Sequence, residues 1–252
     1  VIICSFSGGR SSAMMLDEMR GWEDVVVVFC NTGMESPATL DFVRDCSEQW
    51  GIPIVWLEYS GKKSYRVVTY DTASRNGEPF DQLTTDRSYL PNMIARFCTA
   101  ELKVLTIERY LKDAGIEEYD MAVGIRGDEP RRLSKMRSDQ RKGNYIYPIS
   151  WSTEQDVHNF WQKQKFDLNL PDAAINLESN CNLCFLKGGR IKASLIANDK
   201  TGTIADWWIG QEEKIGGRFR SDQPSYAEMK VIAKDQGDMF GSDDSFSCFC
   251  GD

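Results

Sequence analysis

Histidine is almost absent from this 252-residue chain, occurring once, at His158. A Ser-His-Asp hydrolase or a histidine-rich zinc site would have to be built on that single ring, which argues against both. His158 sits beside the apolar helical face of Val157, Phe160 and Trp161, where a structural or solvent-facing role is expected. No apolar run approaches the ~18 residues of a membrane span, and Val1 to Cys4 is too short for a secretory core, so a soluble, cytoplasmic protein without a membrane partner is expected. Positive charge is also short: Lys and Arg total 30 against 38 Asp and Glu, a net −8 that argues against a broadly basic nucleic-acid surface. Eight cysteines are too few for a disulfide scaffold of this length, and the clustering of Cys181, Cys184, Cys248 and Cys250 in the second half suits metal ligation in a reducing compartment.

What is present begins at Ser5–Ser12 (SFSGGRSS). A short apolar run precedes it and an apolar-periodic stretch follows, the order strand, glycine turn, helix. Gly8 and Gly9 let the backbone approach an anion. The N–H groups of the following helix, with Ser7, Ser11 and Ser12, supply donors. The spacing is neither that of a Walker loop nor that of a dinucleotide fingerprint.

Val25–Phe29 reads as a strand buried on both faces, Ser36-Pro37 as a helix start with Gly51 as its stop, and 52–57 as the third strand. Residues 60–95 lack a sustained period and read as a surface insertion. Thr99 to Ala114 is helical in pattern with Thr99 as cap, and 119–125 is the fourth strand. Alternation of this kind predicts an α/β fold with a doubly wound parallel sheet. After Trp151 the pattern becomes helical, at 152–165 with Ser152 and Gln155 as a capping pair, at 189–198 and at 225–235. The organisation is therefore an α/β domain at 1–150, carrying the anion-binding turn, and a smaller, mostly helical, cysteine-containing region at 151–252. Of Trp207 and Trp208, one is expected in the core and one at its rim.

Cys181 and Cys184 form a Cys-x-x-Cys pair, the spacing at which two thiolates hold one metal. With histidine so scarce the further ligands should be cysteines: Cys98 upstream, and Cys248 or Cys250 in the closing SCFCGD. Cys4, Cys30 and Cys46 read as buried thiols. Zinc, a 4Fe-4S cluster and a redox dithiol all accept this pattern.

Four segments together resemble the phosphoadenosine phosphosulfate (PAPS) reductase and PP-loop ATP pyrophosphatase superfamily, of adenine nucleotide alpha hydrolase-like fold. They are SFSGGRSS, the strand and T-G-x-E turn of Val25–Val43, Gly124–Arg132 (GIRGDEPRR), and Tyr147–Val157 (YPISWSTEQDV); the resemblance covers roughly residues 1–190. It implies an adenine nucleotide bound by Ser5, Ser7, Gly8, Gly9, Arg10, Ser11, Ser12, Asn31, Thr32, Gly33, Arg126 and one of Arg131 and Arg132. Ser11 stands where the ATP-cleaving members carry an Asp associated with magnesium pyrophosphate, which sulfonucleotide reductases do without. Phe97–Lys103 (FCTAELK) keeps the first Cys and the Lys of the reductases' cluster segment, with Thr99 in place of their second Cys.

The resemblance therefore favours a 4Fe-4S cluster on Cys98, Cys181, Cys184 and Cys250, over zinc. It makes Cys248 the attacking thiol, with Cys248 and Cys250 interchangeable in these roles and with Lys103 and Arg126 assisting. The implied reaction is reduction of adenylylsulfate or PAPS to sulfite with a thioredoxin-type reductant. The alternative is an ATP- and magnesium-dependent sulfurtransferase fed by a cysteine desulfurase and thiolating a small molecule or, through Lys187–Arg190, a nucleic acid. The third is a non-catalytic nucleotide-binding module.

Overall fold

A computed structural model describes residues 1–138, 144–170 and 181–236 of the chain. Its centre is a six-stranded sheet: β1 (Ile2–Ser5), β2 (Val25–Cys30), β3 (Ile54–Tyr59), β4 (Tyr65–Val68), β5 (Asp120–Val123) and β6 (Asn144–Ile146), in the spatial order β4-β3-β2-β1-β5-β6. All neighbours run parallel except β4, which pairs antiparallel with β3. The helices are α1 (Arg10–Glu18), α2 (Pro37–Trp50), α3 (Glu78–Arg87), α4 (Phe97–Thr99), α5 (Leu105–Asp113), α6 (Pro130–Ser138), α7 (Glu154–Trp161), α8 (Gly189–Ala197), α9 (Asp206–Ile215) and α10 (Tyr226–Gln236).

Alternation along the strands explains the layers. On β2, Val27 and Phe29 join Cys4, Trp56, α1, α2 and α7 on one face, while Val28 and Cys30 join Ile3, Leu57, Ile107 and Leu111 on the other. Both faces are covered by helices, as a parallel sheet requires. A further core extends from Met34 and Tyr59, at the carboxyl ends of β2 and β3, into α3, α8, α9 and α10. It contains Cys98, Cys181 and Cys184.

Several local expectations are corrected. Residues 60–95 are not one structureless insertion, since they contain β4 and α3; the strand pairs two short segments by contacts no local period reveals. The third and fourth strands start two and one residues later than expected. Thr99 is no cap. It lies inside a continuous helical run in which a π-helical turn, Ala100–Val104, joins α4 to α5. The capping pair of α7 is Thr153 with Asp156 rather than Ser152 with Gln155: Thr153 Oγ1 accepts from the Asp156 N–H at 3.3 Å, and Asp156 accepts from the Thr153 N–H at 2.8 Å. Ser152 instead donates to the Ile149 carbonyl. Trp208 is fully buried and Trp207 only partly, the expected core and rim. Among the described residues no helix is long and apolar enough to cross a membrane.

Candidate functional site

β1 lies between β2 and β5, so the chain leaves it in opposite directions on its two sides. A crevice outside the carboxyl ends of β1 and β5 follows from that order, the place where open α/β sheets take ligands. The glycine turn between β1 and α1 lies there. Ser5 ends the strand, half-buried, paired in register with Val28 and Val123. Gly8 has φ +75°, and a Cβ on it would lie 2.7 Å from Thr39 Cγ2 and 3.1 Å from Val43 Cγ2. Only glycine lets α2 pack so closely under the turn.

Ser12 is buried and braces this loop. Its hydroxyl accepts from the Ser7 hydroxyl at 2.9 Å and from the Ser7 and Gly9 N–H groups at 3.3 Å, and donates to the Gly9 carbonyl at 2.9 Å. Arg10 points elsewhere, in a two-pronged pair with Asp167 at 2.8 and 2.7 Å and a bond to the Leu168 carbonyl. Ser7, Ser12 and Arg10, expected to contact the nucleotide, thus hold the loop's shape and tie it to the segment after α7. Gly9, by contrast, has open space: its nearest neighbour for an added Cβ is Ser7 Oγ, 3.8 Å away. The start of α1 has no side-chain cap, leaving its N–H end available to an anion.

Arg126 reaches this loop from the end of β5. Gly124 makes the approach feasible, since a Cβ there would meet Ser12 Cα at 2.9 Å. The Arg126 guanidinium donates through Nη1 to Ser11 Oγ at 3.2 Å and through Nε to Asp128 Oδ1 at 2.8 Å. Burial raises the Asp128 carboxyl, but the Glu154 N–H and Arg126 outweigh it and hold it below its ordinary value. It therefore remains an anion that orients the arginine. Glu129 accepts the Arg126 N–H at 3.1 Å and pairs with Arg132 at 3.1 Å, whereas Arg131 is exposed. Arg132 is thus linked to the loop carrying Arg126, and Arg131 is not placed there by any of these bonds.

The turn after β2 has another task. Asn31 is fully buried; its amide donates to Glu58 at 2.6 Å and to the Ser74 carbonyl at 2.8 Å, and its oxygen accepts from the Gly33 N–H at 3.0 Å. Thr32 bonds to both Glu35 carboxylate oxygens at 2.9 Å, and its hydroxyl lies 3.4 Å from Cys181 Sγ. The Gly33 carbonyl accepts from Gly77, the Met34 carbonyl accepts from Asn182 at 2.6 Å, and Glu35 bridges in strand fashion to Cys181. Asn31, Thr32 and Gly33, expected to shape an adenosine pocket, are bonded within the turn and to its neighbours, and through Thr32 and Glu35 the turn meets the Cys-x-x-Cys segment. The Glu35 role was readable only as part of the turn motif; nothing local connects it with a segment some 150 residues away.

Cys181, Leu183 and Cys184 are all buried, and the turn closes through the Cys184 N–H on the Cys181 carbonyl at 3.2 Å. Leu183 holds φ +50°, its side chain sealed in the core and its carbonyl accepting from the Tyr226 hydroxyl at 2.6 Å. Such a conformation costs a leucine on the order of 1–3 kcal/mol and persists because packing enforces it. Cys98, on α4, is buried in the same cluster. Lys103, on the π-helical turn, is half-buried, and its carbonyl accepts from the Cys30 thiol at 3.7 Å.

Among the described residues no three His, Cys, Asp or Glu side chains are arranged to hold a metal ion. Cys248 and Cys250 lie outside the described residues. Lys187 is buried, so the Lys187–Arg190 segment is not an exposed basic turn, although Arg190 itself is exposed. Lys192 is buried too, and burial, then Arg220, pulls its ammonium down to about 8. His158 is exposed and bonded to Gln162.

The model of the phosphoadenosine phosphosulfate reductase domain matches residues 1–170, which hold every strand of the sheet and both arms of the Ser11–Arg126 crevice. The uncharacterized nin region protein ORF290 of Escherichia phage lambda is 31% identical over 214 residues, which cover 79% of this chain and 70% of that protein. With its glycine loop, its arginine after β5 and a match over two-thirds of its length, this chain belongs to the phosphoadenosine phosphosulfate reductase domain family.

Proposed function

We propose that the protein is an enzyme that binds adenylylsulfate or PAPS at the glycine loop and reduces it to sulfite through a cysteine S-sulfonate. The observation that carries this reading is the contact of Arg126 with Ser11. A serine at this position sets a neutral hydroxyl, rather than a loop carboxylate, against Arg126 Nη1 beside the α1 N-terminus, while Asp128 holds the Nε side of the guanidinium. That electrostatic arrangement favours a sulfate-phosphate anion over a magnesium-dependent pyrophosphate cleavage.

In the proposed reaction a thiolate, Cys248 or Cys250, attacks the sulfur; the S–O bond to the nucleotide breaks and its phosphate leaves as the anion. The second half-reaction needs a dithiol of thioredoxin type. Its first thiolate attacks the cysteine Sγ of the S-sulfonate, the bond from Sγ to the sulfonate breaks, and sulfite leaves with the electron pair. The mixed disulfide is resolved by the second thiol, which frees the cysteine and oxidises the dithiol to a disulfide. Arg126, oriented by Asp128, stabilises charge on the leaving phosphate, and Lys103 adds positive potential on the side of the cysteine core.

Cys98, Cys181 and Cys184 have the donor chemistry of a thiolate-held centre and are buried in one apolar cluster, but these three side chains are not by themselves arranged to hold a metal ion. With Cys250 they would hold a 4Fe-4S cluster, or zinc, which supplies local charge and structural anchorage to the cysteine region.

The test begins with binding. Gly9→Asp should keep the fold, because the position is open, yet abolish calorimetric binding of adenylylsulfate, PAPS and ATP; Arg126→Met should weaken it by about 1.5–3 kcal/mol, the worth of a charge-assisted bond. Mass spectrometry after incubation with adenylylsulfate or PAPS, without reductant, should find a sulfonate on Cys248 or Cys250. Cleavage of ATP to AMP and pyrophosphate with a sulfur donor, and no sulfonate, would replace this reading with the sulfurtransferase.

A further inference from the structure

We infer that the start of α8, together with Lys187 and Lys192, is a binding site for a compact tetrahedral dianion, inorganic sulfate or phosphate, distinct from the glycine-loop crevice. The two lysines are 1% and 0% exposed, and neither ammonium nitrogen has a hydrogen-bond partner among the described residues. A buried charge left in that state is strongly unfavourable, so the pair is complete only with an anion beside it. The site needs neither a metal on Cys98, Cys181 and Cys184 nor the reaction proposed above.

Both lysines flank the first turn of α8. Lys187 immediately precedes Gly188, the N-cap, and its N–H donates to the Cys184 carbonyl at 2.9 Å. Lys192 lies one turn into the helix, its N–H bonded to the Gly188 carbonyl at 3.1 Å. Helical side chains lean toward the helix N-terminus, so Lys192 reaches back over that first turn. Its Nζ lies 5.0 Å from the centre of the Tyr226 ring, whose face softens the cost of the cation without neutralising it.

The helix start itself is bare. Its N-cap makes no side-chain hydrogen bond, which leaves the first N–H groups and the positive end of the dipole to a ligand. Glycine is a poor helix former, and among the described residues neither conformation nor packing calls for it here. Gly188 has φ −58°, Gly189 is helical, and the nearest atoms a Cβ would meet are Ile191 Cδ1 at 4.0 Å and Gln223 Cδ at 3.9 Å. Bare backbone beside open space is what an anion needs to approach N–H groups closely. Gly188 and Gly189 are half-buried and Arg190 is exposed, so the turn is also open to solvent. The Gln223 side-chain oxygen, against Gly189, is buried without a partner, and the same carboxamide turned over presents two N–H donors.

The carboxylates facing Lys192 are engaged elsewhere. Glu212 accepts the Phe219 and Tyr226 N–H groups at 3.2 and 2.9 Å, and Asp222 is paired with Arg220. Arg220 is itself a further cation facing Lys192. The local balance of charge is therefore positive. Two ammonium groups match a dianion, and their several donors with those of the helix suit an ion of four oxygens better than a spherical halide.

The experiment uses the full chain carrying Gly9→Asp, which closes the glycine loop to anions, alone and combined with Lys187→Met, Lys192→Met or Gly189→Asp. Binding of sodium sulfate and of sodium phosphate is read by calorimetry, and melting temperature is followed against sodium chloride at matched ionic strength. With Gly9→Asp alone, one sulfate or phosphate should bind saturably and raise the melting temperature beyond the chloride control, and the tighter of the two names the ion. Each further substitution should weaken that binding roughly 10- to 100-fold, the worth of a charge-assisted bond. Without the anion the Met variants should melt no lower than their parent, because an uncompensated buried charge has been removed. Gly189→Asp, in open space at a helix start that favours an acid, should fold even if the Met variants do not, and its carboxylate should stand in the anion's place. In chains with an intact glycine loop, the same three substitutions should leave adenylylsulfate binding unchanged, which separates a failure of this site from a failure of the glycine-loop reading. No effect of sulfate or phosphate beyond that of chloride, or parental affinity in all three variants, would overturn the site.

Discussion

At the scale of single residues, two adjacent glycines with the same sequence character have opposite structural duties. Gly8 is locked by a positive φ and by α2 beneath it, so Gly8→Ala should lower the unfolding free energy by about 1–3 kcal/mol, seen as a reduced chemical-denaturation midpoint. Gly9 is open, so Gly9→Ala should leave that midpoint nearly unchanged. Ser11 and Ser12 diverge in the same way. Ser12 is turned inward as the brace of the loop, and Ser11 faces Arg126. A one-residue step along α1 rotates a side chain by about 100°, enough to separate a scaffold hydroxyl from a crevice hydroxyl.

Elements carry the next set of consequences. The N-terminus of α7 rests on reciprocal bonds between Thr153 and Asp156, and Asp128 also accepts from the Glu154 N–H at 2.8 Å. Thr153→Ala should cost about 1 kcal/mol in thermal or chemical melts, whereas Gln155→Ala should cost almost nothing, which separates the observed cap from the pair the spacing suggests. The same helix start holds Asp128, so Thr153→Ala should also loosen Arg126 and weaken nucleotide binding modestly. The π-helical turn between α4 and α5 is a second element-level device. Thr106 Oγ1, at the start of α5, donates back to the Glu101 carbonyl of this turn at 2.7 Å.

For the whole molecule, the buried thiols set the behaviour at alkaline pH. Burial pushes Cys4 and Cys30 from the ordinary 9.0 up to about 12. Between these values the unfolded chain loses protons that the folded chain keeps, so the stability they contribute is full below about pH 9 and is lost as pH rises toward 12. Lys192 works in the opposite sense, since its lowered value means that raising pH through about 8 relieves a buried charge. Two thiols outweigh one amine over the upper part of this range. Thermal midpoints of the metal-free protein should therefore fall steeply above about pH 9, and Cys4→Ala should make that fall shallower despite a lower starting stability.

The sheet was legible because its evidence is local. Val25–Phe29 is too apolar for anything but a two-sided strand, and glycine turns follow β1 and β2 where a parallel sheet collects its loops. The meeting of the Ser5–Ser12 loop with Gly124–Arg132 was legible for the same reason: both follow strands whose carboxyl ends share one edge. β4 and β6 were not, because strands of 4 and 3 residues gain their stability from the neighbour they pair with rather than from their own pattern. Nor could sequence alone separate Asn31 and Thr32, saturated by Glu58 and Glu35, from groups open to a ligand, since hydrogen-bond saturation depends on residues distant along the chain. Lys187 illustrates the limit best. In sequence, a lysine beside two glycines and an arginine is a solvated basic turn; only the packing of α8, α9 and α10 takes its ammonium out of water, and burial, not residue type, is what turns an ordinary lysine into an unbalanced charge.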